Sequence, residues 1–257
     1  MRPIQLLTIL FLIFTAILFF QKPIAQPLDY HSFADQKTLL GVPNFWNVVS
    51  NTPFFFIGLY GLWSAYNHWS IRQTLTIKLL PIVLSLGILA TSLGSGYYHW
   101  SPNNDTLVWD RLPMTLMFMA LFSLVVFDFC NTKIGTITFW ISIFAGILSV
   151  AYWKWSEAQG FGDLRPYILI QFFPLVALPF LFGFFPKTVT YGKLVFGTFA
   201  FYIFAKICEH FDIFIYNITQ QIWSGHTIKH LLAGVALFFV VRLLDAWRVA
   251  SENKSTK

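Results

Sequence analysis

Two histidines, His226 and His230, stand four residues apart in the stretch WSGHTIKHLLAG, at the start of a long apolar run. At about 3.6 residues per helical turn that spacing returns to nearly the same face, so both imidazoles can approach one ion. Zinc takes three or four protein ligands, and a catalytic zinc keeps a position open for water, so the pair alone is an incomplete site. The stretch LATSLGSGYYHWSPNNDTLVWDRLPMT offers a third imidazole, His99, and an acid, Asp110; Ser95, four residues before His99, sets a hydroxyl on the same face one turn away. Each has a plainer reading. Ser95 can be a small packing residue beside Gly94 and Gly96. Asp110 can cap its helix or pair with Lys229 or Arg111. The histidines can hydrogen-bond headgroups, and Lys229 reads as an interfacial cation.

The elements that must position these groups are membrane helices. Of the 257 residues 56% are hydrophobic and only 11% charged, against about 25% charged in a soluble domain. Mean hydropathy is +0.64. Apolar stretches of roughly 17–25 residues, the length that crosses a bilayer as a helix, recur along the chain; the short alternating segments of a β-barrel are missing. The expected fold is therefore an all-α integral membrane protein, a seven-transmembrane-helix bundle with an additional N-terminal helix. The first stretch is Ile4–Phe20. The seven that follow are Phe45–Tyr66, Leu79–Tyr98, Leu107–Phe127, Ile134–Tyr152, Tyr167–Phe185, Leu194–Cys208 and Thr227–Leu244. This divides the chain into an N-terminal apolar helix over residues 1–25, a core over 26–247 and a polar tail over 248–257 that should fray. Arg2 ahead of the first run and KPIAQP behind it also resemble a secretory signal, but the run is long for one, which favours an uncleaved anchor.

Charge sets the orientation. Arg72, Lys78, Lys133, Lys187, Lys193, Arg248, Lys254 and Lys257 fall in alternate loops and the tail, while Asp29, Asp35, Asp105, Glu157, Asp163 and Asp212 fall in the opposite loops. By the positive-inside rule the C-terminus is cytoplasmic and the acids face away from the cytoplasm. The net charge of +6 is then a topology signal, not a nucleic-acid patch. His99, Asp110, His226 and His230 share one depth, toward the non-cytoplasmic face, where ionisable groups tend to mark function. The two cysteines, Cys130 and Cys208, belong to opposite ends of their helices and should not pair.

The set Ser95-x-x-x-His99, Asp110 in WDRLPM and His226-x-x-x-His230 resembles the alkaline ceramidase family, part of a superfamily of seven-helix membrane hydrolases that includes the adiponectin-type receptors. NFWNVVSN at Asn44–Asn51 is similar to the segment opening the family's first core helix, and the resemblance covers about Asp29 to Leu244. It implies Zn2+ held by His99, His226 and His230, with Ser95 and Asp110 as catalytic residues, and cleavage of the amide of a ceramide-like lipid to a fatty acid and a sphingoid base. Zinc would polarise the carbonyl and acidify water, Asp110 would accept and return the proton, and Ser95 would hold the water or the oxyanion. In animal and plant members the acidic stretch before the first core helix is associated with Ca2+. Here DYHSFADQKTLLGVPNFWN supplies only Asp29 and Asp35, with Asn44 where a glutamate is expected, so calcium dependence does not follow.

Among the remaining histidines, His31 reads as interfacial, His68 as belonging to the cytoplasmic side, and His210, near Glu209 and Asp212, as a loop residue before a ligand. The alternative function is a seven-helix receptor of the adiponectin-receptor type with a structural zinc site. A haem protein would set single histidines on facing helices, a transporter would show broken-helix repeats, and a zinc peptidase would carry His-Glu-x-x-His.

Overall fold

The computed structural model describes residues 1–69, 73–185 and 192–255, with side chains up to Arg248; Arg72, Lys187 and Lys257 of the charge pattern lie outside the described residues. Ten α-helices occur in the described residues: α1 Pro3–Phe20, α2 Phe45–Val49, α3 Thr52–Asn67, α4 Leu75–Trp100, α5 Asn104–Phe129, α6 Thr132–Ala158, α7 Arg165–Phe184, α8 Gly192–His210, α9 Asp212–Ile218 and α10 Gly225–Ser255. No strand occurs among them, only one isolated bridge between Leu39 and Val42 around the left-handed turn at Leu40 and Gly41. Helix is the expected outcome in hydrocarbon, where every backbone N–H and C=O must find its partner within the segment.

Six of these helices (α1, α4, α5, α6, α7 and α10) are long and apolar enough to cross a membrane, and α8 with α9 makes a seventh if that pair, bent by 79°, is one span. Two expected spans differ in form. Phe45–Tyr66 divides into α2 and α3, and α3, at 16 residues, falls short of a usual span. The break has a local cause. Pro53 has no N–H to donate to Val49, so the Thr52 hydroxyl bonds that carbonyl instead, at 2.7 Å. The Ser50 hydroxyl and the Asn51 amide both donate to the Asn47 carbonyl, at 3.2 and 2.8 Å, in competition with the helical ladder. The second difference is at the C-terminus, where α10 continues to Ser255 through most of the tail expected to fray.

The chain forms two compact units. One comprises α1, α4 as far as Leu84, α5 from Met114, α6 and α7. Here Phe173 of α7 packs edge-on against Phe11 of α1 and Phe122 of α5. The segment after α1 is tied to the α6–α7 connection by the Leu164 N–H on the Ile24 carbonyl at 2.8 Å and by Arg165 on the Gln21 carbonyl at 2.7 Å. Arg165 also grips the buried Asp163, with Nε 2.8 Å from Oδ1 and a second nitrogen 2.8 Å from Oδ2.

The other unit comprises residues from Leu28 through α3, α4 from Ser85, α5 to Pro113, and α8, α9 and α10. Its helices approach closely through small residues, the usual device where lipid gives no hydrophobic drive between helices. A Cβ on Gly58 would lie 2.7 Å from the Leu89 nitrogen, bringing α3 onto α4, and one on Gly197 would lie 3.0 Å from the Phe239 ring, bringing α8 onto α10. All five sequence-chosen site residues fall in this unit.

Candidate metal centre

The last turns of α4 carry Ser95 and His99, both buried. Across a three-residue connection, α5 begins at Asn104 and brings Asp110 back to them. Asp110 is not a cap. The Asn103 side chain takes that role, accepting the N–H groups of Asp105 and Thr106 at 2.8 and 3.0 Å, and Asp110 lies inside the helix. Its carboxyl accepts a hydrogen bond from the Ser95 hydroxyl. Gly94 allows this meeting: a Cβ there would sit 1.9 Å from the Trp109 carbonyl oxygen, so only hydrogen fits between the two backbones.

The opening turns of α10 carry His226 and His230. Ser224 caps this helix through the Thr227 N–H at 3.0 Å, and Asp212 accepts the His226 N–H at 2.7 Å, which places a carboxylate at the positive end of the helix. Asp212 also accepts the Ala34 N–H at 2.9 Å. Gly225 is confined in turn, since a Cβ would lie 2.1 Å from the Cys208 carbonyl oxygen and 2.8 Å from the Asp212 Cα. The start of α10 is therefore seated on the bend between α8 and α9.

These two helix ends bring His99, His226 and His230 together, with one candidate ligand atom from each, all within 4.8 Å of one another. His99 Nε2 and His226 Nε2 are 3.2 Å apart. His230 Nδ1 is 2.7 Å from the Ser50 hydroxyl oxygen, whose own hydrogen goes to the Asn47 carbonyl. With its hydrogen donated to Ser50, His230 turns an unprotonated Nε2 to the cluster, the tautomer a metal ligand needs. Phe33 covers the cluster, its ring centroid 4.6 Å from His99 and 4.4 Å from His226.

The donor set fits a metal. Three imidazoles buried to 7% exposure or less have converging nitrogens, and His99 Nδ1 is buried with no hydrogen-bond partner, a poor arrangement for an imidazole left to itself. A three-histidine donor set is compatible with zinc, which takes imidazole nitrogens. In the strap before α2, Asp29 is exposed, and Asp35 is fully buried, with Oδ1 accepting the Lys37 N–H at 3.1 Å and the Tyr216 hydroxyl at 3.4 Å and Oδ2 buried without a hydrogen-bond partner. Asn44 turns its amide N–H to the His99 carbonyl oxygen at 2.8 Å, tying the strap to the end of α4.

The other histidines stand apart. His31 engages both ring nitrogens, with the Tyr98 hydroxyl and Asn104 Oδ1 each at 2.9 Å. His68 bonds the Ser64 carbonyl at 2.9 Å, and His210 packs against Phe211. Cys130 and Cys208 are not joined in a disulfide.

Sequence reasoning missed the shell that fixes the trio: Ser50, Asn47, Asp212, Phe33 and Asn44. Hints existed only for Ser50, Asn47 and Asn44, which fall in or beside NFWNVVSN. Lys229, read from the sequence only as an interfacial cation, also reaches into the centre, its Nζ 2.9 Å from His226 Nε2. Asp110 interacts by charge with both cations suggested for it, Lys229 and Arg111, as well as with the Ser95 hydroxyl.

The sequence has no match among curated proteins. Residues 40–257 match the family described as Ceramidase, a span that contains Ser95, His99, Asp110, His226 and His230 and leaves out α1 and most of the strap. A match over most of the chain, with a buried three-histidine centre inside it, makes the conclusion plain: the chain belongs to the ceramidase family, hydrolases that act on amide bonds.

Proposed function

We propose that the protein is a zinc-dependent membrane amidohydrolase that cleaves ceramide-like lipids to a fatty acid and a sphingoid base. The observation that carries this reading is the convergence of three buried imidazoles, with the hydrogen-bonded pair Ser95 and Asp110 beside His99, at the ends of apolar helices. His99, His226 and His230 hold the metal. Zinc, when bound, supplies a Lewis acid for the amide carbonyl and acidifies water toward a pKa of about 7.

The chain's own residues do the rest. Asp110 takes a proton from the attacking water and returns it to the amide nitrogen, so that the amine leaves neutral. Ser95 donates to Asp110 while that group is ionised. Once Asp110 has taken the proton, the Ser95 hydrogen is released to the negative oxygen of the opened carbonyl. Ser50 holds His230 in its metal-binding tautomer throughout. The acyl chain of such a substrate remains in apolar surroundings while its amide reaches the centre, and the charge pattern of the loops favours a non-cytoplasmic location for that centre with the C-terminus inside.

The test uses the full chain purified in detergent, with metal content measured and fatty-acid release followed from several N-acyl lipids, N-acylsphingosine among them. About one zinc per chain is expected, with turnover on the ceramide. If His99→Ala and His230→Ala keep both zinc and turnover, the site assignment fails. Stoichiometric zinc with no hydrolysis of any lipid amide would favour the receptor reading instead.

A further inference from the structure

Lys229 sits between the two histidines of α10, where the proposed chemistry gives it no part. Its Nζ lies 2.9 Å from His226 Nε2 and 3.3 Å from Glu209 Oε1. The other oxygen of Glu209 binds Lys206, so two ammonium groups share one carboxylate and the three side chains together carry a net positive charge. The Lys229 and Glu209 side chains are 18% and 22% exposed, which leaves them open to a ligand but weakly screened by solvent. Two further charged groups face this point, Asp110, which interacts with Lys229 as well as with Ser95, and Arg111, and they offset each other, so the balance stays positive; Asp212 is engaged by the N–H groups of Ala34 and His226.

We infer that Lys229 is an anion-binding residue at the rim of the histidine centre, and that it receives a carboxylate, the group formed when an acyl amide is cleaved. Its identification of the ligand as a fatty carboxylate rests on the proposed hydrolysis; the excess positive charge does not. A neutral amide gains little from an ammonium at this point, whereas the negative charge that develops on the acyl oxygen, and remains on the released acid, gains much. The interaction therefore grows along the reaction, the kind of binding that favours turnover over substrate capture. Glu209 positions the lysine by holding Nζ beside His226, and Lys206 keeps Glu209 from neutralising it completely.

The test compares octanoate with octanamide, which share a chain and differ in head-group charge, by calorimetric titration of the full-length protein in detergent. It is run on chelator-treated and on zinc-loaded samples. Octanoate should bind more tightly than octanamide in both, and Lys229→Met should reduce that preference by about tenfold or more, while Lys229→Arg should retain most of it. Glu209→Gln, which frees the ammonium, should strengthen octanoate binding. A Lys229→Met protein that melts like the parent and keeps the full preference overturns the inference, as does a Glu209→Gln protein with weakened or unchanged octanoate binding. The metal-free arm separates the two readings: a Lys229-dependent preference in a protein that hydrolyses no lipid amide sustains the anion site and removes the hydrolase.

Discussion

His99 Nε2 and His226 Nε2 meet at 3.2 Å across 127 positions of sequence. With a third histidine beside them they form a buried set able to hold one metal ion, and the surrounding shell should then govern metal affinity.

Ser50 is the sharpest probe of that shell, because its hydroxyl is 2.7 Å from His230 Nδ1. Ser50→Ala should weaken metal binding by about 10–100-fold, as loss of a ligand's outer partner commonly does. Competition with a chelator of known affinity measures it. An unchanged affinity would show that Ser50 does not set the tautomer.

Asp110 and Ser95 should separate binding from chemistry. Asp110→Asn is expected to keep the metal and lower turnover by about 10²–10⁴-fold, the usual range for a general acid–base group. Ser95→Ala should lower it by about 10²–10³-fold, as for a lost oxyanion donor. Metal analysis beside steady-state rates decides both, and loss of metal in either variant would move that residue from catalysis to ligand support.

Gly94 and Gly96 form a matched pair on one helix. A Cβ at Gly94 meets the Trp109 carbonyl at 1.9 Å, whereas a Cβ at Gly96 meets nothing within 4 Å. Gly94→Ala should destabilise by about 1–3 kcal/mol, as overpacking does, and should depress activity by prising Asp110 from Ser95. Gly96→Ala should do neither. Thermal unfolding in detergent distinguishes them, and equal melting of the two variants would contradict the close approach of α4 and α5.

Asp163 supplies a pH-dependent fastening outside the spans. Burial pushes its carboxyl up, but the hydrogen bonds from Arg165 outweigh this and hold it below its ordinary value of 3.8. A carboxyl depressed in the folded state contributes stability that is present above its unfolded pKa and is lost as pH falls through the folded value. The melting difference between the parent and Asp163→Asn should therefore be constant near neutrality and shrink below about pH 4. A difference that persists undiminished well below that pH would show that Asp163 acts through packing alone.

The sequence by itself determined the helices and picked out the three histidines that meet. Hydropathy over twenty-residue windows is a local property, and backbone groups in hydrocarbon have one economical way to pair, so the apolar stretches became helices, with Phe45–Tyr66 divided and the last running on to Ser255. The i, i+4 spacing of His226 and His230, and the shared depth of His99, follow from helical geometry and loop order alone. Tertiary structure decided what no local pattern encodes. The break at Ser50 and Asn51 turns a hydroxyl toward His230, and the bend at Phe211 seats Gly225 on the Cys208 carbonyl. Lys229 looked like any lysine at a membrane surface; its place beside His226 depends on Glu209, twenty residues earlier and on another helix. Such meetings depend on how closely helix backbones approach at single glycines, a matter of shape between distant segments that composition and periodicity do not carry.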